Sequence, residues 1–397
     1  MKKRILALLL ITILVFTVVV TGCGNGEDAP EGEDAPEGED APEGEDVSGD
    51  PIKLGFIGPL TGDYSMYGET TKEGAELAAE EINAAGGVLG RDIEIISYDS
   101  KGDKTEAVNA YNRLRDRDEM SALIGATFSG TTLSIKEIAK GDGMPMLSPT
   151  ATHLDVTLDA PNIFRACFTD PYQGATAAVF AADNLEAQKA AVLYNIEDPY
   201  SEGLAEAFKE KFQEYGEVTN YEGYTKNDAD FKTVLTKIAE NEPDVLYLPD
   251  YIAKVGVILS QVEEQGLDVV AIGADGWDGI EGDYADVAEG HYFTNHFAKT
   301  DESAVVQNFL SNYNEKWEAD PTALSALGYD AVYMMSEAIE NAGSTESQAV
   351  VDALAAINID GVTGNIVFDE NGDPQKSISI IQVIDGKHVL ADKVSIQ

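Results

Sequence analysis

Residues 52–99 read IKLGFIGPLTGDYSMYGETTKEGAELAAEEINAAGGVLGRDIEIISYD, and the order of elements in this stretch decides the fold. Ile52–Gly58 is a short apolar run of strand character. Glu69–Ala85 has helical spacing through Ala75, Leu77, Ala78, Ala79 and Ile82, and Gly86-Gly87 is a stop signal. Asp92–Tyr98 alternates as a strand. Strand, helix, strand is the repeating unit of a parallel sheet covered by helices.

The same alternation continues downstream. Lys104–Asp118, Thr131–Lys140, Gly174–Leu185, Glu202–Tyr215, Phe231–Ala239 and Val255–Gln265 have helical spacing. Between them, Ala122–Gly125, Pro145–Leu147, Ile163–Ala166, Ala190–Asn195, Val218–Tyr224, Val245–Leu248 and Val269–Ile272 read as strands. Two runs of this pattern predict an α/β protein of two doubly wound parallel-sheet lobes joined by crossovers. A third section breaks it. Ala304–Trp317, Thr322–Ala342 and Gln348–Ile357 are helical in succession, and the tail turns to strands at Ile366–Asp369, Ser377–Ile384 and Lys387–Val394. Asn371-Gly372 and Asp385-Gly386 are the expected hairpin turns between those strands.

The beginning of the chain reads differently. Lys2, Lys3 and Arg4 precede an apolar run of 16 residues, Ile5 to Val20, and the tetrapeptide Val20-Thr21-Gly22-Cys23 follows. A basic start, an apolar stretch and small residues describe a secretory signal peptide over residues 1–22. The apolar run is shorter than the ~20 residues that span a bilayer comfortably. Residues 27–46 then repeat EDAPEG, with no aromatic residue and no aliphatic longer than alanine. Such a segment cannot bury enough apolar surface to offset its ordering entropy, so residues 23–50 are expected to form a disordered, acidic tether.

Charge narrows the class of partner. The chain holds 26 Lys and Arg against 72 Asp and Glu, and 3 basic and 12 acidic residues precede Pro51. The remaining 347 residues therefore carry 23 basic and 60 acidic side chains, a net of −37. Such a surface repels nucleic acid and anionic headgroups. Cys167 is the one cysteine after Cys23, so no internal disulfide forms in the folded part, and its Ala166 and Phe168 neighbours predict a buried apolar role.

In open parallel sheets, ligands sit beyond the carboxyl ends of the strands. Four strand-end loops stand out. Gly58-Pro59-Leu60-Thr61-Gly62, running on to Tyr67-Gly68, lacks dinucleotide and P-loop spacing. Gly125-Ala126-Thr127-Phe128-Ser129-Gly130-Thr131-Thr132 opens a helix with hydroxyls and free N–H groups, which suits either a carboxylate or simple N-capping by Ser129 or Thr131. Ser148-Pro149-Thr150-Ala151-Thr152 presents hydroxyls at the next strand end. Gly273-Ala274-Asp275-Gly276-Trp277-Asp278 puts an acid where an ammonium could be held, or an Asx-turn formed.

Catalytic and metal patterns are missing from the sequence. His153, His291, His296 and His388 have no zinc spacing, and His291 and His296, five apart on a strand-like stretch, are expected on opposite sides. No GxSxG elbow occurs, and the acidic run at Asp369–Pro374 places proline where a calcium loop needs glycine. The expectation is a binder with no cofactor, no metal and no enzymatic activity.

Five segments taken together resemble a known family: KLGFIGPLTGDYSMYG (53–68), GAELAAEEINAAGGVLGRDIEIISYD (74–99), ALIGATFSGTT (122–132), MPMLSPTATHLDVT (144–157) and NIFRACFTDPYQG (162–174). They are similar to the branched-chain amino-acid binding proteins of ABC importers, which have the type I periplasmic-binding fold. The tetrapeptide ending at Cys23 likewise resembles the lipobox of bacterial lipoproteins, which implies acylation of that sulfur and a membrane-held, extracytoplasmic protein. The family resemblance implies one lobe from residues 51–169 with about 298–375, and another from 170–297 with about 376–397. It implies an amino-acid carboxylate held at Ser129, Thr150 and Thr152, with Ala151 lining the pocket. It implies an ammonium held by Asp275 and a backbone carbonyl near Thr150, and Tyr67, Tyr200 and Tyr251 closing over the ligand. Asp170 and Tyr329 match further polar positions near the cleft. Many members have tryptophan where this chain has Tyr67, and glutamate where it has Asp275. The implied partners are an amino acid, an ABC permease and its ATPase, with the receptor a monomer; a sensory lipoprotein, or a receptor for short amides, urea or aromatic acids, is the alternative.

Overall fold

The computed structural model describes residues 49–395. The expected signal segment, Cys23 and the repeat of the tether lie outside the described residues. The first half of the chain runs β1 (Ile52–Gly58), α1 (Ser65–Ala84), β2 (Ile93–Asp99), α2 (Lys104–Asp116), β3 (Ala122–Gly125), α3 (Ser129–Asp142), β4 (Met146–Ser148) and β5 (Ile163–Arg165). These strands make one parallel sheet in the order β2-β1-β3-β4-β5. β1 lies near its centre and is buried along almost its whole length, as a strand covered on both faces must be.

The chain then continues as α4 (Asp170–Asp183), β6 (Lys189–Asn195), α5 (Pro199–Phe212), β7 (Glu217–Tyr224), α6 (Lys232–Ala239), β8 (Val245–Leu248), α7 (Ile252–Glu264), β9 (Val270–Gly273), the short α8 (Ala285–Ala288) and β10 (Tyr292–Asn295). It returns to the first sheet as α9 (Ala304–Trp317), α10 (Ala323–Ala342), α11 (Ser347–Ala355) and a small hairpin, β11 (Asn358–Gly361) with β12 (Gly364–Val367). β13 (Ile378–Ile384) and β14 (Lys387–Val394) close the second sheet, whose order is β14-β13-β10-β9-β8-β6-β7.

Two corrections to the sequence reading concern the tail. β13 runs antiparallel to both β10 and β14, so the second sheet is mixed rather than wholly parallel. Asp385-Gly386 makes the expected hairpin turn, but Asn371-Gly372 does not join two paired strands of one sheet. Its segment is tied instead to the end of β5. Arg165 N donates to Gly372 O, and the Arg165 guanidinium meets Asp373 at 2.6 Å. That anchor directs the chain across to the second sheet. β11, absent from the sequence reading, pairs with β12 in place of the expected continuation.

The core lies in layers. α1, α10 and α11 cover one face of the first sheet, with Phe56, Leu327 and Met335 among the fully buried side chains, and α2 and α3 cover the other. α4 and α5 cover one face of the second sheet and α6 and α7 the other. α1 and α10 touch through two glycines. A Cβ on Gly74 would lie 1.8 Å from Ser325 O, and one on Gly328 would lie 2.1 Å from Thr71 O. The chain passes between the sheets after β5, after β10 and before β13, and these passages bring the strand ends of the two sheets face to face.

Candidate functional site

One small cavity opens where those strand ends meet. The first-sheet side supplies Tyr67 from the first turn of α1, Thr127 and Phe128 after β3, Ser129 at the start of α3, and Thr150 after β4. Facing them are Tyr200 in the first turn of α5, Tyr251 before α7, and Asp275 and Gly276 after β9, with Leu324 of α10 completing the wall. As the side chains stand the cavity has about 20 Å³ of free space, room for roughly one water. A molecule larger than a water fits only if side chains of these walls move.

The first-sheet side is a donor surface. α3 starts at Ser129 with no side-chain cap from Phe128, so its first N–H groups keep their usual outward direction. Neither hydroxyl expected to cap it does so. Ser129 Oγ accepts from His153 N at 3.2 Å, and Thr131 Oγ1 donates backwards to Phe128 O at 2.9 Å. Thr150 Oγ1 donates to Thr127 O at 2.6 Å, which ties the β3 and β4 loops together. Arg165, wholly buried, holds the following loop by donating to Ala151 O at 3.0 Å and Leu154 O at 3.1 Å.

The second-sheet side is an acceptor. Asp275 is 7 % exposed. Its Oδ1 accepts from Tyr200 OH at 2.8 Å and Gln173 Nε2 at 3.1 Å, and its Oδ2 lies 3.0 Å from His296 Nε2. Burial holds the His296 imidazole below its usual range against the pull of Asp275, so the ring is neutral at neutral pH. A carboxylate only accepts, which assigns the ring proton to Nε2. Asp170 is also buried, and among the described residues neither carboxylate oxygen has a hydrogen-bond partner. Burial, reinforced by the charge of Asp275, pushes its carboxyl well above the ordinary range.

Aromatic rings bridge the two sides. Phe128 and Tyr251 stand 4.6 Å apart, Tyr67 and Tyr251 5.2 Å, and Tyr200 stacks on Tyr251 at 5.1 Å. Tyr67 OH donates to Gly276 O at 2.6 Å and accepts from Ile252 N at 2.8 Å. Burial raises the Tyr67, Tyr200 and Tyr251 hydroxyls well above the ordinary phenol range, which keeps all three protonated. Gly276 allows this approach, since a Cβ there would lie 2.8 Å from Tyr200 OH.

Of the residues singled out from sequence, Tyr67, Ser129, Thr150, Tyr200, Tyr251 and Asp275 line this one cavity. Ala151 and Thr152 are fully buried beside Thr150, and among the described residues Thr152 Oγ1 has no hydrogen-bond partner. Tyr329 stands apart. Its hydroxyl donates to Glu81 Oε2 at 2.5 Å and its ring packs on Phe309 and Tyr333. It lies five positions after Leu324 on α10, about 140° around that helix at 3.6 residues per turn. Phe128, Leu324, Gln173 and His296 were not singled out. Gln173 lies inside the quoted segment 162–174, whereas no local signal marks Leu324 or His296. His291 takes Ala271 N on its Nδ1 at 3.2 Å.

Comparison with known proteins agrees with this architecture. A family model described as periplasmic binding protein matches residues 51–387. A leucine-, isoleucine-, valine-, threonine- and alanine-binding protein of Pseudomonas aeruginosa is 31 % identical over 332 residues, covering 82 % of this chain and 88 % of the relative. The Leu/Ile/Val-binding protein BraC3 of Rhizobium johnstonii is 32 % identical over 351 residues, covering 86 % and 94 %. Among solved structures, the leucine-binding protein LivK of Thermotoga maritima superposes with a TM-score of 0.83 at 34 % identity, covering 87 % of this chain and 99 % of that one. LivJ of Streptococcus pneumoniae, in complex with isoleucine, gives 0.82 at 32 % identity over 87 % and 99 %. The chain therefore belongs to the periplasmic binding protein family, alongside the branched-chain amino-acid binding proteins, and is a solute-binding receptor rather than an enzyme.

Proposed function

We propose that this receptor captures an α-amino acid outside the cytoplasm and delivers it to an ABC permease and its ATPase. One observation carries the reading: the uncapped start of α3 at Ser129 and the carboxylate of Asp275 face the same cavity from opposite sheets. A donor surface opposite a buried acid suits the two charges of a zwitterion. In this reading Ser129, Thr150 and Thr152 hold the carboxylate end beside Ala151, Asp275 and a backbone carbonyl near Thr150 hold the ammonium, and Tyr67, Tyr200 and Tyr251 close over the ligand, with Asp170 near the cleft. Residues 51–169 with 298–375 and residues 170–297 with 376–397 act as two lobes that close on the ligand, and the closed form is what the permease recognises.

The relatives' names support an aliphatic amino acid as the ligand class. An amide or an aromatic acid brings no ammonium, and the buried acid then lacks a counter-charge. Cys23, acylated, would hold a monomeric receptor to the membrane on its acidic tether, close to the permease. A thermal-shift screen against amino acids, amides, urea and aromatic acids tests the reading, because a true ligand raises the melting point by mass action. A rise confined to amino acids supports it; a rise with amides or aromatic acids alone overturns it.

A further inference from the structure

The acid of the cavity does not stand alone. Gln173, near the start of α4, bridges Asp275 Oδ1 at 3.1 Å and Thr294 Oγ1 of β10 at 2.7 Å through one amide nitrogen. His296, just past β10, reaches Asp275 Oδ2 at 3.0 Å. The His296 ring is fixed from its face by Phe168, with centroids 3.7 Å apart and planes 18° apart. Phe168 lies in the passage after β5 and His296 in the passage after β10, so two of the three segments that join the sheets bear on one carboxylate. Neither Gln173 nor His296 lines the cavity.

Counting acceptor positions shows what this support does. An ionised carboxylate offers about four lone-pair sites. Gln173, Tyr200 and His296 occupy three directions on Asp275. The direction that remains is set by where those three donors hold the carboxyl plane.

We infer that Gln173 and His296 are positioning residues for ammonium recognition: they aim the free acceptor site of Asp275 into the cavity and tie its orientation to two of the three passages between the sheets. The inference rests on the amino-acid reading proposed above. It separates two effects. Loss of ordinary packing weakens every ligand alike, whereas loss of aim weakens only ligands that carry an ammonium.

The test measures affinities of the folded protein for L-leucine, L-alanine and L-phenylalanine, each paired with its des-amino acid (4-methylpentanoate, propanoate and 3-phenylpropanoate). Gln173→Leu and His296→Leu are expected to lower the ratio of amino-acid to des-amino affinity about tenfold or more, because a hydrogen bond to a charged group is lost. His296→Gln, which keeps an N–H donor at similar reach, is expected to restore most of the ratio. Phe168→Leu keeps every hydrogen-bonding group and gives the same readout if the Leu variants do not fold: the ratio falls. An unchanged ratio in the variants, with both ligands weakened equally, overturns the inference while leaving the amino-acid reading intact. Failure of the wild-type protein to bind any of the three amino acids overturns both.

Discussion

Tyr67 and Gly276 join the two sheets across the cavity: the phenol of one donates to the carbonyl of the other at 2.6 Å. The same hydroxyl accepts Ile252 N at 2.8 Å, so one side chain from α1 satisfies two backbone groups of the opposing sheet. Leu324, from a helix packed on the first sheet, closes the same cavity. The walls of the cavity are thus also contacts between the sheets.

Tyr67→Phe keeps the ring and removes both hydrogen bonds. Gly276 O and Ile252 N then lose their partner, which destabilises the closed arrangement by about 1–3 kcal/mol. Amino-acid affinity by calorimetry is expected to fall accordingly, with little change in melting temperature. Unchanged affinity would show that closure does not depend on this contact.

Asp278 makes a second bridge. Its carboxylate accepts Ala323 N at the start of α10, although Asp278 follows β9 of the second sheet. His388 Nδ1 lies 3.5 Å from its other oxygen. Asp278→Ala removes an acceptor from a helix N-terminus, an effect of about 1 kcal/mol. Small-angle scattering should show the ligand-free protein more open than wild type. An unaltered scattering profile together with wild-type affinity would contradict the bridge's part in closure.

Lys376 gives a pH signature. It is buried, donates to Thr363 Oγ1, and lies near Asp330, which three donors from Val362 and Thr363 already satisfy. Burial lowers the Lys376 ammonium to about 8 from 10.5. An unfolded chain keeps the ordinary value. Below pH 8 both states hold the proton and the folded state bears the full cost of a buried charge. Between about pH 8 and 10.5 the folded state releases the proton first, so this group's contribution to stability rises with pH, by at most about 3 kcal/mol. The melting-temperature difference between wild type and Lys376→Met should therefore shift in favour of wild type from pH 7 to pH 10. A difference that is flat across this range rules the mechanism out.

Arg165 supports the first-sheet side of the cavity, holding the loop after Thr150. It meets Asp373 at 2.6 Å and donates to Thr157 Oγ1 at 2.9 Å, while Thr157 Oγ1 donates to Asp373 at 2.7 Å. Arg165→Leu leaves Asp373 with Thr157 alone and frees the 151–157 loop. Breaking a buried pair from one side costs about 3–5 kcal/mol. Chemical denaturation should register that loss; a loss below 1 kcal/mol would mean the pair behaves like a surface contact.

Much of this architecture is written locally. β3 and β8 span the residues expected of them, and α9 does too, because each combines a bounded apolar pattern with clear turns at its ends. Helix starts are less legible. α1 begins at Ser65, four residues before its expected start, through a first turn that lacks a side-chain cap. The Ser129, Thr150 and Asp275 positions could be found because strand-end loops announce themselves in the order of elements. Leu324 and His296 could not, since they reach the site only through the return of α10 and the passage after β10. Tyr329 shows the limit of carrying over a motif: its helix was rightly identified, but its direction around the helix is set by Glu81 and Phe309 rather than by the cleft.

A zwitterion held between Ser129 and Asp275 in one cavity needs both residues to bind. Isothermal calorimetry with the amino acid that most raises the melting point, run on wild type, Ser129→Ala and Asp275→Asn, tests it most directly. Each substitution leaves one ligand charge buried without its partner, so each should weaken binding by about 2–5 kcal/mol. Wild-type affinity in both variants would contradict the assignment of the site.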